Sequence, residues 1–206
     1  YSPRNYYYKI KKYILDGLVF EELIVFIDIS DISDEAGLKS EQTQDLTTNE
    51  VNKQRNKNFK EIFKSNFPLS HYLLYRIKYF NLPKPIYRYL PSYQASSWTY
   101  NRSITNYDVE YGIESSLEYM NKLYNFLNQN NIKLSIAIYP WPNQLIYDRA
   151  DSVQVKIWED FCKSKCKNFL NYFQIFFDNE NTLKLSKAKK IIKKLYLEND
   201  MHFNKF

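Results

Sequence analysis

Glycine is scarce, at 3 of 206 residues, against a usual share of about 7 %. Gly17, Gly37 and Gly112 lie far apart. The chain therefore has no Gly-x-Gly-x-x-Gly dinucleotide turn, no phosphate loop and no Gly-x-Ser-x-Gly elbow, and enzymes built on those turns are excluded. Cysteine is nearly absent. Cys162 and Cys166 stand one helical turn apart without a Cys-x-x-Cys, so they supply no metal knuckle. Buried free thiols are the expectation, with a disulfide as the alternative in an exported parent. Apolar runs are short: Leu23–Ile27 falls well below the ~20 residues of a membrane span. Histidine occurs only as His71 and His202.

What is abundant is aromatic: 20 Tyr, 14 Phe and 3 Trp make an aromatic share of 18 %. Together with many Asn, Lys and Ile, this is the codon signature of an A+T-rich genome. The net charge is +6, from 29 Lys and Arg against 23 Asp and Glu. The densest basic clusters, Lys9–Lys12 and Lys187–Lys194, fall on helical patterns. Solvated helix faces explain them better than a phosphate-contacting groove, so no nucleic-acid partner is expected. The chain starts at Tyr1 rather than Met and is expected to be a piece of a longer protein, at 206 residues long enough for one domain.

In order, residues 5–17 read as a helix, with Tyr7, Ile10, Ile14 and Leu18 at helical spacing. Leu23–Ile27 reads as a parallel strand buried on both faces. It runs into the acidic, hydroxyl-rich stretch Asp28–Glu35, expected as a loop. Four carboxylates there suit a hard metal less well than a helix cap or plain solvation, and no metal site is expected. Residues 36–56 read as a polar loop. Residues 58–80 read as two helices broken at Pro68, with His71 a packing residue, and residues 81–107 as an irregular excursion. The clearest helix is 108–130, with Ile113, Leu117, Met120, Tyr124 and Leu127 as its core stripe. A second buried strand, 133–139, ends in Tyr139-Pro140-Trp141-Pro142-Asn143-Gln144. That is either a stiff aromatic rim for a ligand or a turn whose Trp caps the core. A helix over 152–167, a short strand over 169–172 and a helix capped by Ser186 complete the pattern.

Strands alternate with helices, which defines an α/β fold with a largely parallel sheet and helices on both faces. Ligands of such sheets bind beyond the carboxyl ends of the strands. There Ser30, after the first strand, is expected to meet Asp200-Met201-His202, at the end of the chain. An Asp two residues from a His is a usable base, because the carboxylate fixes the ring tautomer and stabilises the imidazolium.

Asp200-Met201-His202-Phe203-Asn204 resembles the C-terminal Asp-x-His-x-Asn block of the SGNH (GDSL-like) hydrolases, in particular the branch related to polysaccharide O-acetyl esterases and acetyltransferases. Phe26–Ile32 falls where that superfamily carries an Ile-Gly-x-Asn-Asp-like block, and Ile136–Pro142 looks like its following strand and Pro-containing loop. The resemblance implies a three-layer, flavodoxin-like parallel sheet flanked by helices, with residues 36–107 as a helical and irregular insertion. It implies a serine-type ester hydrolase or O-acyltransferase acting on an acylated carbohydrate or small ester, without cofactor. His202 is then the general base and Asp200 its orienting carboxylate. Ser30 stands at the oxyanion Asn and Asp28 at the preceding Gly, where no catalytic role is expected of it. Trp141, Gln144 and Asn204 are candidate substrate contacts. The family's Gly-Asp-Ser nucleophile is not in the sequence and is expected upstream of Tyr1, so these 206 residues alone are expected to be inactive. An extracytoplasmic setting follows from the family's usual polysaccharide substrates. The rival expectation is a non-catalytic carbohydrate-binding domain, stacking sugar rings on the aromatic excursions 83–107 and 139–147.

Overall fold

The computed structural model describes residues 2–43, 94–198 and 200–205, with side chains only to residue 38 in the first span. The chain divides into two compact units, Tyr1–Leu38 with Tyr87–Phe206, and Lys39–Ile86. Of the second, only the helical residues 39–43 are described. The expected loop beyond residue 43, the two helices over 58–80, His71 and the start of the 81–107 excursion lie outside the described residues.

Helix α1 spans Pro3–Leu15. Proline at its first position has no N–H to satisfy and a preset φ, which suits a helix start. The helix stops at Gly17, whose φ of 95° only glycine adopts freely. Strand β1, Glu22–Ile27, follows. Strand β2 is Lys133–Ile138 and β3 is Asn168–Asn171. They form a three-stranded parallel sheet in the order β1-β2-β3. Ile27 pairs with Ile138, and Ile138 with Asn171, so the three strands end on one line.

The α/β class and the parallel sheet flanked by helices are as expected. The burial of β1 is not. Val25 and Ile27 are buried, but Ile24 and Phe26 on the other face are 48 % and 53 % exposed. Only β2, with neighbours on both sides, buries every residue from Leu134 to Ile138. Strand order makes β1 an edge strand, and an unbroken apolar run does not encode that order.

A second departure lies at the end of β1. The acidic stretch is not a loop: helix α2 runs Asp31–Thr43, with Asp31 and Asp34 in its first turn. Carboxylates there complement the helix dipole. Helix α3, Val109–Gln129, is capped by the Asp108 carboxylate, which accepts from the Tyr111 N–H. Its fully buried apolar side chains are Met120, Leu123 and Leu127. Gly112 lets it approach α2: a Cβ there would lie 2.3 Å from the Ile32 carbonyl oxygen.

Beyond β2 the expected turn is a short helix, α4, Pro142–Tyr147. Helix α5, Val153–Cys162, is capped by Ser152. Cys162 and Cys166 are joined in a disulfide, which overturns the expectation of free thiols. The turn that follows the end of α5 brings their Cα atoms to 4.6 Å, within bridging range. Helix α6, Phe173–Phe176, and helix α7, Leu185–Leu195, complete the order. The main core joins β1, β2, α3 and α5 to Ala188 and Ile192 of α7. A smaller cluster of Ile29, Ile32, Trp98, Val109 and Trp141 lies beside the end of β1.

Candidate functional site

A cavity of about 390 Å³ opens at the carboxyl ends of β1 and β2, and both Ser30 and His202 line it. Residues 172 positions apart in the chain (202 − 30) thus share one edge of the sheet. The segment after α7 delivers the histidine. Tyr196 pairs with Phe203 in an isolated antiparallel bridge, and the Leu197 N–H donates to the His202 carbonyl at 2.9 Å. The Phe203 ring packs on Tyr196, Tyr139 and Phe176, with centroids 4.8, 5.3 and 6.0 Å away. The Tyr196 hydroxyl donates to the Pro140 carbonyl at 2.5 Å, tying the segment to the turn after β2.

His202 Nδ1 lies 2.7 Å from Asp200 Oδ1, and the same oxygen accepts the His202 N–H at 3.2 Å. With Nδ1–H donated to the carboxylate, Nε2 keeps its lone pair as a base. The side chain is 73 % exposed, so the ring is accessible. Desolvation pushes the Asp200 carboxyl up, but hydrogen bonds from the His202 backbone and ring outweigh it and hold it below the ordinary carboxylate range. Asp200 is therefore ionised at neutral pH and available to stabilise an imidazolium.

On the other side the Ser30 hydroxyl makes no hydrogen bond among the described residues. Its backbone N–H is occupied, donating to Asp28 Oδ1 at 2.8 Å. Any oxyanion contact from Ser30 is thus left to the hydroxyl.

Asp28, assigned no role from the sequence, is the hub of this side. Its Oδ2 accepts from the Tyr139 hydroxyl and from Trp141 Nε1, each at 2.9 Å. It fastens the end of β1 to the turn after β2. The pairing of Ile27 with Ile138 makes this possible, since the next residues are Asp28 and Tyr139. Beneath it, Asp31 is completely buried. Its oxygens accept from the Tyr6 hydroxyl at 3.0 and 2.9 Å, and Oδ2 also takes the Asp28 N–H at 3.1 Å. Burial, then the charge of Asp28, pushes the Asp31 carboxyl well up. Burial and Asp31 push the Tyr6 hydroxyl up, and burial and Asp28 that of Tyr139, so both phenols remain donors. The sequence carries no local signal for Tyr6, which arrives on α1.

The other predicted contacts are placed differently. Trp141 lines the cavity but is 4 % exposed, held by its bond to Asp28. Of the two readings of that turn, the core-capping one describes its ring. Gln144 is fully buried: its Oε1 accepts the Trp141 N–H at 3.0 Å and its amide meets Asp148 and Gln154. Asn204 donates to the Lys194 carbonyl at 2.9 Å, closing the end of α7. Neither Gln144 nor Asn204 lines the cavity. Trp98 is buried and donates to the Ile29 carbonyl at 3.1 Å, so it bolts the end of β1 in place rather than offering a stacking surface.

Among the described residues no three His, Cys, Asp or Glu side chains gather as metal ligands would. In the acidic stretch, Glu35 is taken by the Arg4 N–H at 2.7 Å and the Ser115 hydroxyl at 2.8 Å. No helix among the described residues is long and apolar enough to cross a membrane. Compared with known protein families, characterised proteins and solved structures, the chain matches none.

Proposed function

We propose that this chain supplies the histidine–aspartate half of a serine-type ester hydrolase or O-acyltransferase acting on an acylated carbohydrate or related ester. The observation that carries it is the Asp200–His202 pair, bonded at 2.7 Å through Nδ1, with His202 lining the cavity that Ser30 shares. In this scheme Nε2 accepts the proton of a serine hydroxyl as its oxygen bonds to the ester carbonyl carbon. The tetrahedral oxyanion forms, and in this scheme the Ser30 hydroxyl donates to it. The carbon–oxygen bond to the leaving alcohol then breaks, and His202 returns the proton to that alcohol. Water or an acceptor hydroxyl releases the acyl group by the reverse sequence.

The 206 residues contain no Gly-Asp-Ser, and the proposal takes the nucleophile from outside them. The test uses the gene product extended upstream of Tyr1. It should hydrolyse p-nitrophenyl acetate and take a fluorophosphonate label on a serine. The variant His202→Ala should lose on the order of 10⁴ in turnover. The 206-residue chain alone should show none. Turnover by that chain, lost on Ser30→Ala, would make Ser30 the nucleophile. No label and no turnover in the extended product would remove the esterase.

A second reading, glycan binding without catalysis, is favoured by the aromatic walls of the cavity other than Trp141, namely Tyr6, Phe26, Tyr139 and Phe203. Glycan retention undiminished in His202→Ala, in a product that never turns over, would support it. The disulfide suits an oxidising, extracytoplasmic compartment.

A further inference from the structure

Helix α7 carries a charge that its own fold does not use. Between Lys184 and Leu195 there are six lysines and no acid, which equals the formal net charge of the whole chain, +6. Ala188 and Ile192 face the core, whereas Lys190, Lys193 and Lys194 are exposed and Lys187 and Lys189 half-buried, with Lys184 exposed just before the helix. Lys187 pairs with Asp178 and Glu180, at 2.6 and 2.7 Å. Lys184, Lys189, Lys190, Lys193 and Lys194 have no ion-pair partner among the described residues.

Solvation alone does not call for this pattern. A solvated helix face ordinarily interleaves acids and bases four residues apart, whereas Lys189 with Lys193, and Lys190 with Lys194, set like charges at that spacing, where they repel. The helix dipole favours cations in the last turn, which accounts for Lys193 and Lys194 but not for Lys184, Lys189 or Lys190.

The helix also has a direction. Its C-terminal turn leads straight into the segment bearing Asp200 and His202, and Asn204 bonds back to the Lys194 carbonyl at 2.9 Å. A row of unneutralised ammonium groups therefore runs up to the candidate site.

We infer that this face of α7 holds a polyanionic carbohydrate, one bearing uronate or similar carboxylates along its length, so that an acylated stretch of it reaches the cavity beside His202. The identification of the polymer as the substrate rests on the function proposed above; the binding of the polyanion does not. A membrane surface fits less well, because the buried apolar residues of α7 face the core. Nucleic acid fits less well, because no aromatic side chain lies among the lysines of α7 to stack a base.

The test is binding of the 206-residue chain to polygalacturonate, with neutral arabinoxylan as control and Lys190→Glu/Lys194→Glu as the variant. Both side chains are exposed and make no ion pair, and circular dichroism checks that the fold is kept. Polygalacturonate should be bound and arabinoxylan not. If three lysines are engaged, affinity should fall about tenfold or more between roughly 50 and 200 mM salt, the loss expected for released counterions. The double variant should bind at least about tenfold more weakly at the lower salt. Undiminished binding by the variant, no binding at low salt, or preferential displacement by single-stranded DNA would overturn the inference. The esterase assay fails separately: polyuronate binding by a gene product that never turns over would leave the surface standing and remove the chemistry.

Discussion

Replacing Gly112 by alanine tests the packing that holds the candidate site. Helix propensity alone predicts a gain, since alanine is favoured over glycine in a helix interior by about 1 kcal/mol. The structure predicts a loss. The added Cβ would lie 2.3 Å from the Ile32 carbonyl oxygen, 2.9 Å from its Cγ2 and 3.2 Å from its carbonyl carbon. Carbon and oxygen need more than 3 Å, so α3 and the first turn of α2 must part by roughly 1 Å. The obstacle is backbone, which cannot swing aside. Overpacking of this kind costs about 1–3 kcal/mol, and a main-chain clash belongs at the upper end. The net expectation is a loss of about 2 kcal/mol, or about 4–8 °C in Tm for a chain of this size. Gly37, in α2, is the control: nothing lies within 4 Å of its Cβ position, so Gly37→Ala should gain up to about 1 kcal/mol. Urea unfolding of both variants decides it. Equal or greater stability of Gly112→Ala would refute the close approach of α3 to Ile32.

The pH dependence of stability should carry the mark of Asp31. Its folded pKa is raised, first by burial and then by Asp28, so the folded chain keeps that proton to higher pH than the unfolded chain. The associated stability is complete below the ordinary value of 3.8 and is lost as pH rises toward the folded value, by at most about 1.4 kcal/mol per pH unit. Urea unfolding across this range should show Asp31→Asn gaining on the wild type as pH rises; a difference independent of pH would count against it. Reduction of the Cys162–Cys166 disulfide releases a loop with a sequence separation of only 4. The chain-entropy relation then gives a loss of about 2 kcal/mol, measurable as a lower urea midpoint in reductant, whereas free thiols titrating in the unreduced protein would exclude the bond.

Much of the scaffold was legible because it follows from local pattern. The runs Leu23–Ile27 and Leu134–Ile138 marked two strands, and the stripe through Met120 and Leu127 marked α3. Ser30 and His202 line one cavity, but only Ser30 follows a parallel strand, where ligands of such sheets bind; His202 is brought there by α7 and the isolated Tyr196–Phe203 bridge. What the pattern misses depends on neighbours distant in sequence. Leu23–Ile27 reads like Leu134–Ile138, yet among the described residues only the latter has a strand on each side, and one face of the former, bearing Ile24 and Phe26, is exposed. Asp28–Glu35 reads as loop by its acids, yet Asp31 and Asp34 lie in the first turn of a helix, where the dipole favours them.

The largest omission was Asp28, and its cause has bearing on the chemistry. A carboxylate after β1 looks unsuited to a site proposed to accept a developing oxyanion. In the structure Asp28 takes three donors, the Ser30 N–H, the Tyr139 hydroxyl and the indole of Trp141. Each is a hydrogen bond to a charged group, and together they fix a loop, a strand end and an aromatic wall to one another. Glycine is scarce in this chain, and a turn that lacks glycine's conformational freedom is here held by side chains instead. The same bonds remove the Ser30 N–H from service, so any oxyanion contact on this side passes to the Ser30 hydroxyl. The Asp200–His202 pair is fixed separately, by its own short segment. Binding geometry and base strength can therefore be altered independently, the first through Asp28 and its donors, the second through Asp200.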